Sequence, residues 1–240
     1  RFRDRLGDER FKDIFNKIVS IARDKGIVSD KLHIMDATDV RAKVDLYRIK
    51  KEHKEKEPHT YIDNHSPDKD ARPGRKHGGR PCYGYKAHAI MDAESEIILN
   101  VETAPANKKE ADLFVPLSKS LPRPKVVTAD KAYDRKDNHE YLSKSHIRNG
   151  IITRKNLTKE YIKHNIKLVS EIAKSIRPVI EHKFADCKKY HGLGLARYIG
   201  LIKTRIQVYM TAISVNVKRM IKLIYHCVSP PKISLRSVQT

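Results

Sequence analysis

Phe11, Ile14, Phe15, Ile18, Val19 and Ala22 recur at intervals of three and four residues, which gathers their side chains on one face of a helix. Gly26 follows where a helix stop belongs, so the pattern predicts an amphipathic helix over residues 8–25. Residues 32–36 form a short apolar run that ends in Asp36. It suits a buried strand, although so few residues leave a helix open. Residues 39–82 change character, with a Lys/Glu run at 50–57 and then Pro67, Pro73, Gly74, Gly78, Gly79 and Pro81. A polar, mobile insertion is expected there.

Order returns at residues 83–91 and 97–103, both rich in aromatic and β-branched side chains and separated by Asp92-Ala93-Glu94-Ser95. A hairpin is expected. Ala111, Leu113, Phe114 and Leu117 fall at helical intervals, giving a helix over 109–120. A strand over 125–130, a helix over 136–145 and a strand over 149–153 follow. Two longer helices are expected at about 176–190 and 198–224, joined by Gly192-Leu193-Gly194. Strand, hairpin, helix, strand, helix, strand, helix argues for a mixed sheet with helices on its faces. The division expected is a remnant of an N-terminal helical region over 1–32, a core over 33–224 carrying a basic insertion at 41–82, and a tail over 225–240. Because the chain opens at Arg1 in a stretch that already reads as structure, further residues upstream are expected.

Composition adds a partner. The 240 residues carry a formal net charge of +21, and so much positive charge favours a strongly anionic ligand, with nucleic acid first. From residue 174 onward there are 13 Lys or Arg and two acids, Glu181 and Asp186. A merely solvated or RNA-coating surface is the alternative. Cys82, Cys187 and Cys227 are odd in number and widely spaced, which indicates neither a disulfide framework nor a cysteine zinc site. With no apolar run long enough to span a bilayer, a soluble protein of a reducing cytoplasm, nucleoid-associated and without a membrane partner, is expected.

The candidate chemistry lies in three acids. Asp36 and Asp130 each close an apolar run, so both stand where the loops at the C-terminal edge of a sheet build sites. On adjacent strands, two carboxylates about 4 Å apart repel by about 4 kcal/mol at an effective dielectric of 20, and oxygen-only ligands point to Mg²⁺ or Mn²⁺ as the compensating charge. A lone Asp after a strand is equally a turn or helix cap. Glu181 falls on one helix stripe with Arg177 and Lys188, bordering an apolar stripe of Ile176, Ile180 and Cys187. There it is either a metal ligand beside two phosphate-holding cations or a plain i,i+4 ion pair. Asp92 and Asp134 read as turn residues. Arg75, Lys76, Arg80, Tyr83, Tyr85 and Lys86 combine cations with aromatics as a nucleic-acid groove does, or as ordinary strand packing does. The twelve histidines show no zinc spacing.

Asp36-Ala37-Thr38, Tyr83-Gly84-Tyr85-Lys86-Ala87-His88, Thr103-Ala104-Pro105-Ala106-Asn107, Ala129-Asp130-Lys131-Ala132-Tyr133-Asp134, and the R-x3-E-x6-K pattern at Arg177, Glu181 and Lys188 follow one another in this order. Together they resemble the blocks of bacterial insertion-sequence DDE transposases, from about residue 1 to 223. The resemblance implies a ribonuclease-H-like fold: a mixed five-stranded sheet flanked by helices, with the polar insertion after the first strand. It implies two-metal cleavage and strand transfer at element ends. Asp36, Asp130 and Glu181 would be the catalytic, metal-binding triad for two Mg²⁺ or Mn²⁺ ions. Arg177 and Lys188, with Lys131, Arg75, Lys76 and Lys86, would contact double-stranded DNA of the ends and target, and the chain would act as a homodimer on DNA. Lys174 stands where some relatives place a tyrosine. Against this reading stand a metal-dependent nuclease of the same fold that does not transpose and a basic DNA-binding protein whose acids are structural.

Overall fold

All eleven residues of strand β3, Cys82–Asp92, are buried. The reason is its place in the sheet. β3 pairs antiparallel with β1 (Leu32–Arg41) along one edge and with β4 (Ile98–Pro105) along the other, while helices cover it, so both alternating sets of side chains meet packing. The tight β3–β4 connection is held by Asp92, which accepts from Ser95 N at 2.9 Å and Ser95 Oγ at 2.6 Å. The hairpin and the turn role of Asp92 thus stand as the sequence pattern has them.

The computed structural model describes residues 2–53, 60–74, 82–153 and 166–225. Beyond β1 the sheet continues with β5 (Val126–Ala129) and β6 (Arg148–Ile151), both parallel to their neighbours. The main path therefore runs β4-β3-β1-β5-β6, antiparallel on one side of β1 and parallel on the other. This is a ribonuclease-H-like mixed sheet, with six strands where five were expected. The sixth is β2 (Arg72–Gly74), a short strand that pairs with the start of β3 just past the end of β4.

Helix α1 (Phe2–Asp24) extends six residues ahead of the predicted start, across a non-helical Gly7 at φ 71°. Its Phe15, Val19 and Ala22 are buried in the same core as the sheet. α1 packs on α7 (Leu201–Tyr225), and both rest on β4. α4 (Ala111–Lys119) lies on β3, β4 and α5 (Lys136–Lys144), with Phe114 and Tyr133 in ring contact at 6.0 Å. α6 (Ile166–His191) lies against β1, β5 and β6. It starts ten residues ahead of its predicted start and carries Pro178 inside it.

The segment at 41–82, read from sequence as a mobile insertion, holds two short helices among its described residues, α2 (Leu46–Glu52) and α3 (Thr60–His65), besides β2. Its anchor is Asp68, fully buried. Oδ1 of Asp68 accepts from Tyr85 Oη at 2.6 Å and from the backbone of Asp70 and Ala71 at 3.2 Å, and Oδ2 accepts from Gly200 N at 3.2 Å. Asp70 accepts from Leu201 N at 2.9 Å. Two aspartates thus satisfy backbone donors at the start of α7 that would otherwise be orphaned. Polar composition concealed this order because the partners lie some 130 positions away in sequence. Gly84 is required where the segment re-enters the sheet in β3, opposite Arg41: at φ +153°, a Cβ there would meet Val40 O at 2.3 Å. The tail beyond residue 225, with Cys227, and the expected DNA contacts Arg75 and Lys76 lie outside the described residues, as does the side chain of Lys174.

Candidate active site

Parallel pairing of β1 with β5 runs from Leu32↔Val126 to Met35↔Ala129. Asp36 and Asp130 are the next residues on each strand, so they sit side by side where the pairing ends. Their backbones then diverge. Asp130 leaves the sheet at φ −72°, ψ 169° and caps the 3₁₀ turn Lys131–Tyr133, its Oδ1 accepting from Lys131 N at 2.7 Å. Asp36 does not end its strand, as the apolar run suggested, but lies in mid-strand. β1 continues to Arg41 because antiparallel pairing with β3 persists to Arg41↔Gly84 after β5 has turned away.

Glu181 arrives from the other direction. Ile176, Ile180, Phe184 and Cys187 of α6 are buried, and this stripe fixes the helix so that Arg177 and Glu181, about half exposed at 46% and 51%, face the strand ends. Arg177 joins the acids. Its Nη1 and Nη2 donate to Oδ1 and Oδ2 of Asp130 at 3.2 Å each, and its Nε donates to Oε1 of Glu181 at 2.7 Å. Burial opposes the guanidinium charge, but the bond to Glu181 and the fields of Asp130, Glu181 and Asp36 outweigh it and raise the Arg177 pKa. The i,i+4 pair anticipated as the plain alternative for Glu181 is therefore present, as one arm of a bridge that also reaches Asp130.

A cleft of about 1460 Å³ brings these groups together. Asp36, Asp130 and Glu181 line it, and so do Arg177, Lys188, Lys131 and Lys86. Every described residue of the expected site thus faces one space. Lys86 differs from the other cations. It is buried, with its Nζ 2.7 Å from Glu110 Oε1 and both side chains about one-tenth exposed. Tyr83 and Tyr85 are buried as well, so they pack in the sheet and offer no stacking face to a nucleic acid. Tyr133 is fully buried beneath the same carboxylates; burial, then Glu110, Asp36 and Asp130, push its phenol pKa well up.

Two acids in the cleft were not singled out as site residues. Glu110 follows the Thr103–Asn107 block by three positions, which was its only signal. Asp134, read as a turn residue, also lines the cleft; it closes the 3₁₀ turn and bonds Nε2 of buried His139 at 2.7 Å.

The donors Asp36, Asp130 and Glu181 are all oxygen ligands, as Mg²⁺ or Mn²⁺ requires. Among the described residues, no three His, Cys, Asp or Glu side chains are already gathered at metal-holding distance. The Arg177 guanidinium stands between two of the carboxylates and supplies there the positive charge that a divalent ion would bring. The chemistry of the set fits a metal, and an ion seated there competes with that guanidinium.

In this mixed sheet two carboxylates follow the end of the β1/β5 pairing and share a basic cleft with a helix glutamate. Residues 29–217 match the transposase DDE domain, and the chain belongs to that family of DNA-cutting and DNA-joining enzymes, which generally use divalent metal ions. It is 28% identical over 219 residues to the transposase for insertion sequence element IS1106 of Neisseria meningitidis serogroup B, covering 90% of this chain and 75% of that one. Among solved structures it is similar to the piggyBac transposase in a synaptic complex with hairpin DNA, at a TM-score of 0.47 and 9% identity over 87% of this chain. The chain spans about half of that protein, 53% of its length. Among the described residues no helix is long and apolar enough to cross a membrane.

Proposed function

We propose that the chain is an insertion-sequence transposase that cleaves phosphodiesters at element ends and joins the freed ends to target DNA, with Asp36, Asp130 and Glu181 as its metal ligands. The observation that carries this reading is the convergence of these three acids, from two strands and a helix, on one cleft lined by cations. The relationship to the IS1106 transposase supports the insertion-sequence assignment.

Two Mg²⁺ or Mn²⁺ ions held by these oxygens would activate water or a DNA 3′-hydroxyl and stabilise the leaving oxygen. The chain's own residues supply the rest. Lys131 and Lys188 flank the acids and hold the phosphates of the strand being cut, as charges that neutralise the backbone without reading its sequence. Lys86, fixed by Glu110, presents an oriented ammonium to the same space. Synapsis of two ends requires two active sites, so the working form is a homodimer on DNA.

The experiment is strand transfer. A duplex ending in the element's own terminal sequence, with a free 3′-hydroxyl, is incubated with supercoiled plasmid and Mg²⁺ or Mn²⁺. Covalent joining that depends on the terminal sequence supports the transposase. Metal-dependent nicking without joining supports a simple nuclease on the same fold.

A further inference from the structure

Resting on the reading of Asp36, Asp130 and Glu181 as the metal site, we propose that Arg177 is a competing cation that couples metal binding to DNA binding: it occupies the carboxylates in the free enzyme and exchanges them for a DNA phosphate.

The geometry supplies the competition. Both oxygens of Asp130 are engaged, Oδ1 by Lys131 N and Arg177 Nη1 and Oδ2 by Arg177 Nη2, while Arg177 Nε takes Oε1 of Glu181. These bonds take three of the roughly four lone-pair sites of Asp130 and one of those of Glu181. An ion seated between Asp130 and Glu181 therefore competes with the guanidinium, which fills that space and whose charge opposes a further cation there.

Leaving is possible because the Arg177 side chain is 46% exposed to the cleft. Its planar fork makes the same bidentate bonds to a phosphate as to a carboxylate. A DNA strand in the cleft thus offers Arg177 an equivalent partner and releases Asp130 and Glu181 for metal. The linkage is reciprocal: if DNA tightens metal, metal tightens DNA by the same factor. Without DNA the site holds metal weakly, which confines hydrolytic competence to the complex.

The test is Mn²⁺ affinity, read from the electron paramagnetic resonance signal of the free aqueous ion, with and without a saturating short DNA duplex. For the wild-type chain, DNA is expected to tighten Mn²⁺ about tenfold, within the ordinary range of coupling between two sites. Arg177→Ala is expected to bind Mn²⁺ about tenfold tighter than wild type without DNA and to gain nothing further from DNA. Arg177→Lys keeps the charge without the fork and falls between. Equal or weaker Mn²⁺ binding by Arg177→Ala in the absence of DNA overturns the proposal. Asp130→Asn separates the two ideas. If it loses Mn²⁺ binding while Arg177→Ala gains none, the coupling alone fails. If it binds Mn²⁺ as wild type does, the metal-site reading fails and takes the coupling with it.

Discussion

Lys86 Nζ lies 2.7 Å from Glu110 Oε1 inside the wall of the basic cleft, with both side chains about one-tenth exposed. Such a pair contributes little net stability compared with an apolar pair of the same size, yet losing one partner strands the other charge in a poorly solvated place. Glu110→Gln is therefore expected to destabilise the fold by about 3 kcal/mol, whereas Lys86→Met with Glu110→Leu stays near the wild-type value. Urea unfolding of the two proteins checks this. Equal losses in the single and the double variant would mean that the pair acts through something other than mutual charge compensation.

Asp68 gathers one tyrosine hydroxyl and three backbone N–H groups from the segment at 60–74, from β3 and from the start of α7. Asp68→Ala leaves the buried Tyr85 hydroxyl and Ala71 N–H unsatisfied, each costing about 1 kcal/mol or more, and the half-buried N–H groups of Asp70 and Gly200 less, since water reaches them. The expected result is a loss of about 3 kcal/mol, with faster amide hydrogen exchange at Ala71 and Gly200 in particular. Unchanged exchange at both sites would refute the anchoring role.

His88 is fully buried on β3, and neither ring nitrogen has a protein hydrogen-bond partner among the described residues. Burial, then the charge of Lys86, lowers its pKa to about 3. In the unfolded chain the imidazole titrates near 6.5, so between these values the unfolded state binds the extra proton. Stability from keeping His88 neutral is full above about 6.5 and falls as pH drops towards 3, by about 1.4 kcal/mol per unit. His88→Met is expected to flatten the pH dependence of stability over that window and to cost little at neutral pH. Unfolding midpoints measured at several pH values decide it; parallel profiles for the two proteins would contradict the assignment.

The elements most readable from the sequence were those whose signal is local. The β3–β4 hairpin shows in the aromatic and β-branched runs on either side of Asp92-Ala93-Glu94-Ser95, and the burial of Ile176, Ile180 and Cys187 shows in their helical spacing. Asp36 and Asp130 each close an apolar run, which marks them as candidates, but that their strands are neighbours comes from the parallel pairing that ends at Met35↔Ala129. What escaped was set by distant partners. Residues 37–41 extend β1 only because β3 pairs with them, and the polar segment at 60–74 is ordered by contacts with Tyr85 and the start of α7. Arg177 was expected to face phosphate, yet it lies across Asp130, 47 positions away. Helical spacing offers it Glu181 but says nothing of Asp130.

The central claim is that Asp36, Asp130 and Glu181 serve one metal-dependent site. Its most direct test is Mn²⁺- or Mg²⁺-dependent nicking of supercoiled plasmid by the wild-type chain beside Asp130→Asn, which keeps the shape of the side chain and removes its charge. The account predicts nicking by the wild type that falls to background in the variant while DNA binding persists. Nicking by Asp130→Asn at the wild-type rate, well above background, would contradict it.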